Sequence, residues 1–302
     1  MLLKTYRTTF LQELSALYDS QEIESFFYLI LECFHNKKRI DLALEPNMEM
    51  DAMQLLRWES VLAELKKEKP IQYILGETEF YGLPFLVNEN TLIPRPETEE
   101  LVEWIIKETY NLQPTTYNLN ILDVGTGSGC IAISLAKNIP NAEVSAIDVS
   151  EKALATAQKN ADINIVEVNF INLDILRIND LVELPTSNFQ LPTQFDIIVS
   201  NPPYVRNLEK AEIKPNVLEY EPHLALFVED TDALLFYRKI AQLAQQNLSE
   251  NGMLFFEINQ YLGKETVKLL ENLGFKNIEL KKDIYGNDRM IRCEKAEAEA
   301  RI

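Results

Sequence analysis

Residues 121–133 read Ile-Leu-Asp-Val-Gly-Thr-Gly-Ser-Gly-Cys-Ile-Ala-Ile. An apolar strand pattern runs into glycines at every second position, and a helical pattern starts at Cys130. Glycines let the backbone approach a ligand closely. The first N–H groups of the following helix and the positive end of its dipole point at the same spot. Such a turn suits a pyrophosphate or the methionine carboxylate of S-adenosylmethionine. A dinucleotide fingerprint wants its third glycine at position 130, which is Cys130, so nicotinamide binding is disfavoured. Gly125, Thr126, Gly127, Ser128 and Gly129 are the first candidate cofactor contacts.

Downstream of this turn, strand-like and helix-like segments alternate. The strand-like ones are residues 143–149, 163–168, 195–201 and 252–258, and helical patterns cover 150–161, about 233–248 and about 265–272. This alternation implies parallel strands joined by helical crossovers. Two last strand-like runs, 277–283 and 289–293, flank a five-residue turn and predict a closing hairpin with an antiparallel strand at the sheet edge. The expected fold class is α/β: a doubly wound, mostly parallel sheet with an antiparallel terminal strand, as in class I methyltransferases. The polar stretch 176–194 reads as loop and the acidic, alanine-rich 295–302 as a terminus; neither receives a function.

Upstream the text is helical. Phe10, Leu11, Leu14, Leu17 and Tyr18, then Ile23, Phe26, Phe27, Leu29 and Ile30, recur at helical spacing, and a third helix is expected from Asp51 to about Lys67. No glycine occurs before Gly76. The expected division is a small N-terminal helical bundle over 1–75, a hairpin linker over 76–93 around Gly82-Leu83-Pro84, and a catalytic domain over 94–302 that opens with a helix from Glu97 to about Tyr110.

The 302 residues are 46% hydrophobic and 25% charged, as expected of a folded globular protein. With 47 Asp plus Glu against 29 Lys plus Arg, the formal charge of −18 repels polyanions at long range, so direct nucleic-acid binding is not expected. No apolar run is long enough for a bilayer and the first residues lack a signal-peptide pattern, so no membrane association and a cytoplasmic location are expected. Cys33, Cys130 and Cys293 lie far apart, and with only His35 and His223 no zinc spacing can be assembled. No metal is expected.

Asp148 ends the second strand, 19 residues past Gly129, where a carboxylate can hold the two ribose hydroxyls of an adenosine; helix capping near Ser150 is the structural alternative. Asp174, after the third strand, is a candidate for the adenine neighbourhood. Asn201-Pro202-Pro203-Tyr204 follows the apolar strand 195–199 directly, at the carboxyl edge where such sheets bind ligands. An amide or exocyclic amine nitrogen is a poor nucleophile because its lone pair is delocalised. A site that methylates it must grip both N–H groups with two acceptors. The Asn201 side-chain oxygen and the Pro202 carbonyl can supply them, the prolines stiffen the turn, and Tyr204 can pack on the planar group.

Taken with Pro70–Gly76, Leu92-Ile93-Pro94-Arg95-Pro96-Glu97-Thr98-Glu99, Glu221-Pro222, Asp283 and Arg289, these motifs make the chain resemble the HemK/PrmC protein-glutamine methyltransferases over nearly its whole length. The resemblance implies a helical N-terminal domain that recognises a peptide chain release factor, and methylation of the glutamine in a Gly-Gly-Gln tripeptide with S-adenosylmethionine as donor. It implies cofactor contacts at Gly125 through Gly129, Asp148 and Asn201, and a glutamine site at Asn201, Pro202, Pro203 and Tyr204, with Asn201, Pro202 and Tyr204 catalytic. The position after Asp174, often aromatic in the family, is Ile175 here, which implies an aliphatic contact on adenine. Asn259 stands where family members commonly have glycine.

Three rival readings share parts of this pattern. A ribosomal-protein glutamine methyltransferase has the same tetrapeptide, but the residues after Pro94-Arg95 argue against it. An adenine-amino DNA methyltransferase poses the same lone-pair problem; the net charge and the lack of a basic target-recognition domain oppose it. A non-catalytic adaptor would not need an intact Asn201–Tyr204 segment.

Overall fold

The computed structural model describes residues 1–112, 118–181 and 192–296. Most of the polar stretch 176–194, and the tail from 297 on, lie outside these residues. The chain divides into two compact units, one of 1–77 with 214–220, the other of 78–213 with 221–302.

The first unit contains α1 (Leu3–Leu14), α2 (Ser20–His35), α3 (Arg39–Leu44), α4 (Ala52–Leu65) and α5 (Ile71–Leu75). Local chemistry sets the ends. Asp19 accepts the N–H groups of Gln21 and Glu22 at the start of α2, and Asp51 and Gln54 form a reciprocal capping box on α4. Gly76, at φ +79°, closes α5 in the left-handed region that glycine tolerates. The apolar stripes converge on Trp58, whose ring meets Tyr6, Phe10, Phe27 and Phe34 and whose indole N–H donates to His35 Nε2 at 2.9 Å. Of the N-terminal positions expected to be helical, Phe10, Leu14, Ile23, Phe27 and Ile30 are buried in this aromatic core, whereas Leu17 and Tyr18 fall after the end of α1 and Leu17 and Leu29 are exposed; α3 and α5 are short additions that the periodicity did not mark.

The second unit begins with the hairpin β1 (Glu77–Phe80) and β2 (Leu83–Leu86), then α6 (Pro96–Leu112), β3 (Leu119–Val124), α7 (Cys130–Asn138), β4 (Ala142–Asp148), α8 (Glu151–Asn164), β5 (Asn169–Asn172) and β6 (Phe195–Ser200). There follow β7 (Val205–Arg206), α9 (Pro215–Tyr220, part of the first unit), α10 (His223–Leu226), β8 (Phe227–Val228), α11 (Leu235–Asn247), β9 (Leu248–Glu257), α12 (Gly263–Asn272), β10 (Lys276–Lys282) and β11 (Asp288–Glu294).

Seven strands form one sheet in the order β10-β11-β9-β6-β3-β4-β5. From β9 to β5 neighbours are parallel, and β11 is antiparallel to both β9 and β10. The alternating pattern thus delivers the expected sheet, with one correction: the antiparallel last strand is not the edge. The crossover through α12 carries β10 two strand positions beyond β9, and the hairpin folds β11 back into the gap between them, where both of its sides are paired. A second correction concerns residues 163–168. Helix α8 runs through Asn164, and the strand lies later, at the more polar Asn169–Asn172.

Successive β3 side chains face opposite layers, as strand geometry requires. Leu119 and Ile121 join a core with α6, α7 and the hairpin residues Phe80 and Phe85, whereas Leu122 and Val124 join one with α11 and α12. The hairpin is tied to α8 by polar bonds. Asn160 accepts the Leu86 N–H at 2.7 Å and donates to the Leu86 and Ser128 carbonyls, and Asn164 donates to the Pro84 carbonyl at 2.9 Å.

Candidate active site

The strand register assembles the site. Val124 pairs with Ile147 on one side and with Ser200 on the other, so the chain leaves β3 at Gly125, β4 at Asp148 and β6 at Asn201 along one carboxyl edge. This is the edge at which open α/β sheets receive ligands. A cavity of about 250 Å³ opens there. Its walls include Gly125, Thr126, Gly127, Ser128, Asp148, Asp174, Ile175, Asn201, Pro202 and Pro203, so most of the residues singled out from the sequence meet around one space.

The glycine turn is shaped for close approach. Gly125 and Gly127 have φ of +77° and +56°, and a Cβ at either position would meet open space. These glycines answer a backbone demand and leave the turn bare toward a ligand. Gly129 differs, because a Cβ there would sit 2.8 Å from Ile133 and 3.1 Å from Ala157. It caps α7 in the left-handed region and lets α7 pack against α8, and it is not among the cavity walls. Beneath the turn, Thr126 donates to the buried Asp123 at 2.6 Å. Burial, only partly opposed by that bond, pushes the Asp123 carboxyl up to about 7.

Asp148 accepts the Gly127 N–H at 2.8 Å through Oδ2 and the Ser150 N–H at 2.9 Å through Oδ1. It is not the cap of α8, a role filled by Ser150, whose hydroxyl accepts the Ala153 N–H. A carboxylate has about four acceptor positions, so acceptor capacity remains for a diol. Burial raises its proton affinity against those backbone bonds. Asp174 also lines the cavity, while its carboxylate caps a short turn at Leu176 and pairs with Arg177 at 2.9 Å. Ile175, nearly buried, presents an aliphatic wall beside it.

On the opposite side stands the loop after β6. Asn201 donates through Nδ2 to Thr98 Oγ1 at 3.3 Å, and Thr98 in turn donates to Glu257 Oε2 at 2.6 Å. Tyr204 donates its hydroxyl to Glu257 Oε1 at 3.1 Å and packs against the α11 side of the core. Tyr204 is not among the cavity walls, unlike Asn201, Pro202 and Pro203. Burial raises the Glu257 pKa, opposed by Thr98, Arg289 and Tyr204, and burial raises that of Tyr204. Asn259, which had no reading from the sequence, donates to the Tyr204 carbonyl and to Glu209 Oε2, each at 2.9 Å. It ties the end of the loop to the Arg206–Glu209 ion pair. A glycine there makes neither bond.

The segment before and within the first turn of α6 adds walls that residue-by-residue reasoning missed: Glu89, Thr91, Pro94, Arg95 and Thr98. Arg95 pairs with the buried Glu221, which also accepts the Ile93 N–H at 3.2 Å, so the segment leading into α6 is pinned from 128 residues away. The signal available was charge. Glu221 and Glu257 are carboxylates in apolar surroundings and demand partners.

Residues 6–76 match the family described as PrmC N-terminal domain, and residues 109–220 match the methyltransferase small domain family. The chain is 68% identical over 292 residues to the release factor glutamine methyltransferase of Flavobacterium psychrophilum, covering 97% of this chain and 99% of that protein. The chain belongs to the release factor glutamine methyltransferase family. A second family member, from Bacteroides thetaiotaomicron, is 40% identical over 284 residues and covers 94% and 97% of the two chains. Among solved structures, the hMettl16 catalytic domain in complex with MAT2A 3'UTR hairpin 6 superposes with a TM-score of 0.51 at 16% identity, over 73% of this chain and 77% of that one, which shows the shared fold.

The cavity fits the S-adenosylmethionine that a methyltransferase of this family uses. A bare glycine turn faces it, with a diol-competent carboxylate at Asp148 and an aliphatic wall at Ile175. Among the described residues no group of three or more His, Cys, Asp and Glu side chains is placed to hold a metal ion, and no helix is long and apolar enough to cross a membrane.

Proposed function

We propose that this chain transfers a methyl group from S-adenosylmethionine to the side-chain amide nitrogen of the glutamine in the Gly-Gly-Gln motif of peptide chain release factors. The observation that carries this reading is the preformed loop Asn201–Pro203 on the cavity wall, facing the Gly125–Gly127 turn and Asp148 across one space. Asn201 has its Nδ2 committed to Thr98, which leaves Oδ1 as an acceptor. With the Pro202 carbonyl this gives the two acceptors that a primary amide presents its N–H groups to.

In this reading the Gly125–Ser128 turn holds the methionine end of the cofactor, Asp148 the ribose hydroxyls, and Ile175 with the Asp174 neighbourhood the adenine. The cofactor supplies an electrophilic methyl on a sulfonium. Asn201 and Pro202 orient the glutamine nitrogen so that its lone pair faces that methyl, and they concentrate electron density on the nitrogen by accepting both N–H groups. Preoriented acceptors of this kind lower the barrier without reorganising during the reaction. As the N–CH₃ bond formed the sulfonium S–CH₃ bond would break and S-adenosylhomocysteine would be released; the nitrogen would then carry an extra proton and positive charge, so the proton would leave readily to water and no base is required beforehand. Pro203 keeps the loop stiff, and Tyr204 anchors its far end.

The helical unit 1–77 is assigned to recognition of the release factor, and the enzyme is placed in the cytoplasm with its substrate. At a net charge of −18, contact with nucleic acid is no part of this reading. The test is transfer of labelled methyl to purified release factors, to the same factors with the Gly-Gly-Gln glutamine replaced, to ribosomal protein and to DNA. Label in the intact factor alone is expected. Label that survives loss of the glutamine, or that enters only ribosomal protein or DNA, overturns the reading.

A further inference from the structure

We propose that Thr98 and Glu257 are positioning residues that lock the Asn201 amide with its oxygen toward the substrate nitrogen. This rests on the amide-methylation reading above. Glu257 ends β9, 159 residues from Thr98 in sequence, and only 2% of its surface is exposed. Its two oxygens take one hydroxyl each: Thr98 at 2.6 Å and Tyr204 at 3.1 Å. With Glu257 ionised, as the nearby Arg289 charge favours against burial, its carboxylate only accepts, so the single Thr98 hydroxyl proton is committed to it. Thr98 Oγ1 can then only accept from its other neighbour. That neighbour is the Asn201 amide at 3.3 Å, which must present its NH₂ end. The flipped amide would bring two acceptors face to face and leave the buried Thr98 oxygen unpaired.

The direction of the whole chain is therefore set by one buried charge. The proton order Asn201 to Thr98 to Glu257 leaves Oδ1 at the free end of the amide, on the cavity that Asn201 lines. The same carboxylate holds Tyr204, so both ends of the 201–204 loop are referred to one fixed group. Thr98 is itself immobile, 2% exposed and held by its backbone N–H on the Arg95 carbonyl at 3.0 Å. Glu257 is not among the cavity walls, and Thr98, which is, has its hydroxyl committed to Glu257 and Asn201. Their effect on the reaction passes through Asn201.

Thr98→Val keeps the shape and removes the hydroxyl. In the full-length enzyme it should lower kcat by about tenfold to a hundredfold, the scale of a misoriented reacting group, with KM for the release factor and the affinity for S-adenosylhomocysteine changed by no more than about threefold. Thr98→Ser should restore kcat to within about threefold. On an Asn201→Ala background Thr98→Val should have no further effect, because residues acting as a unit are non-additive. Glu257→Gln, which cannot accept from both hydroxyls in the same way, should reproduce the Thr98→Val signature and carries the test if Thr98→Val does not fold. Side-chain amide NMR supplies a readout independent of any substrate: the Asn201 NH₂ signals should shift in Thr98→Val. Wild-type kcat in Thr98→Val, multiplied losses in the double variant, or unmoved Asn201 signals would each overturn the proposal. A wild type that labels no release factor counts against the functional reading and leaves the NMR result to decide the positioning.

Discussion

Asp148→Asn separates the two jobs of the carboxylate. In the wild type it accepts the Gly127 and Ser150 N–H groups at 2.8 and 2.9 Å and keeps acceptor capacity for a ribose diol. Asparagine keeps the volume and one oxygen but replaces the other by a donor, so it loses the charge and at least one bond to a hydroxyl. A hydrogen bond to a charged group contributes about 1.5 to 3 kcal/mol, and each 1.36 kcal/mol is a factor of ten. The dissociation constant for S-adenosylhomocysteine should therefore rise about 10- to 150-fold. Isothermal titration of the two proteins measures it, with circular dichroism to confirm equal folding. The Asn201 side of the cavity makes no bond to Asp148, so kcat at saturating cofactor should fall far less. Because burial raises the Asp148 pKa, wild-type affinity should begin to weaken on acidification at a higher pH than an ordinary carboxylate would give, and the asparagine variant should lack that dependence. An unchanged dissociation constant in a folded variant would mean that Asp148 only braces the glycine turn and Ser150.

Asn201→Ala should leave cofactor affinity within a few fold and lower turnover by about 10²- to 10³-fold, the usual loss for one preorganised polar contact at a reacting centre; single-turnover kinetics decide, and turnover within a few fold of wild type would refute the acceptor role. Asp123 is raised to about 7 in the folded protein from 3.8, so the native state holds the extra proton between those values and stability should fall as pH rises through that window. Asp123→Asn should remove that fall, gaining about 1 to 3 kcal/mol relative to wild type above pH 7 in denaturant titrations of the cofactor-free protein; parallel pH profiles would contradict it. Removal of residues 1–75 should leave S-adenosylhomocysteine binding nearly intact, because all the cavity walls lie in the second unit, while kcat/KM for a whole release factor drops. Equal efficiency of the two forms on intact factor would remove the recognition role from the helical unit.

The parts of the site legible in the sequence are those whose chemistry is local. The Gly125–Gly129 turn and Asn201–Pro203 announce themselves because each sits next to an apolar strand and before a helix or turn, and the register of β3 with β4 and β6 then brings them together. Position 129 shows the limit of that reasoning. All three glycines look alike in sequence, but Gly129 is required by the approach of Ile133 and Ala157. The strand expected at 163–168 failed because Ile163 and Ile165 are surface positions, 46% and 86% exposed, on the last turn and end of α8. Apolar text there mimicked a strand. The antiparallel last strand was visible as a hairpin partner, but its place inside the sheet depends on how far the α12 crossover carries β10, which no local pattern records. Thr98, Glu221, Glu257 and Asn259 were missed as site residues because their meaning lies in partners 50 or more residues away, fixed only once the sheet is formed.

The most direct measurement is fragment mass spectrometry of a release factor after incubation with S-adenosylmethionine and either the wild-type enzyme or Asn201→Ala. One added methyl on the Gly-Gly-Gln glutamine side chain is predicted with the wild type, nearly absent with the variant over the same time. A methyl group on any other residue, or equal modification by both proteins, would contradict the account.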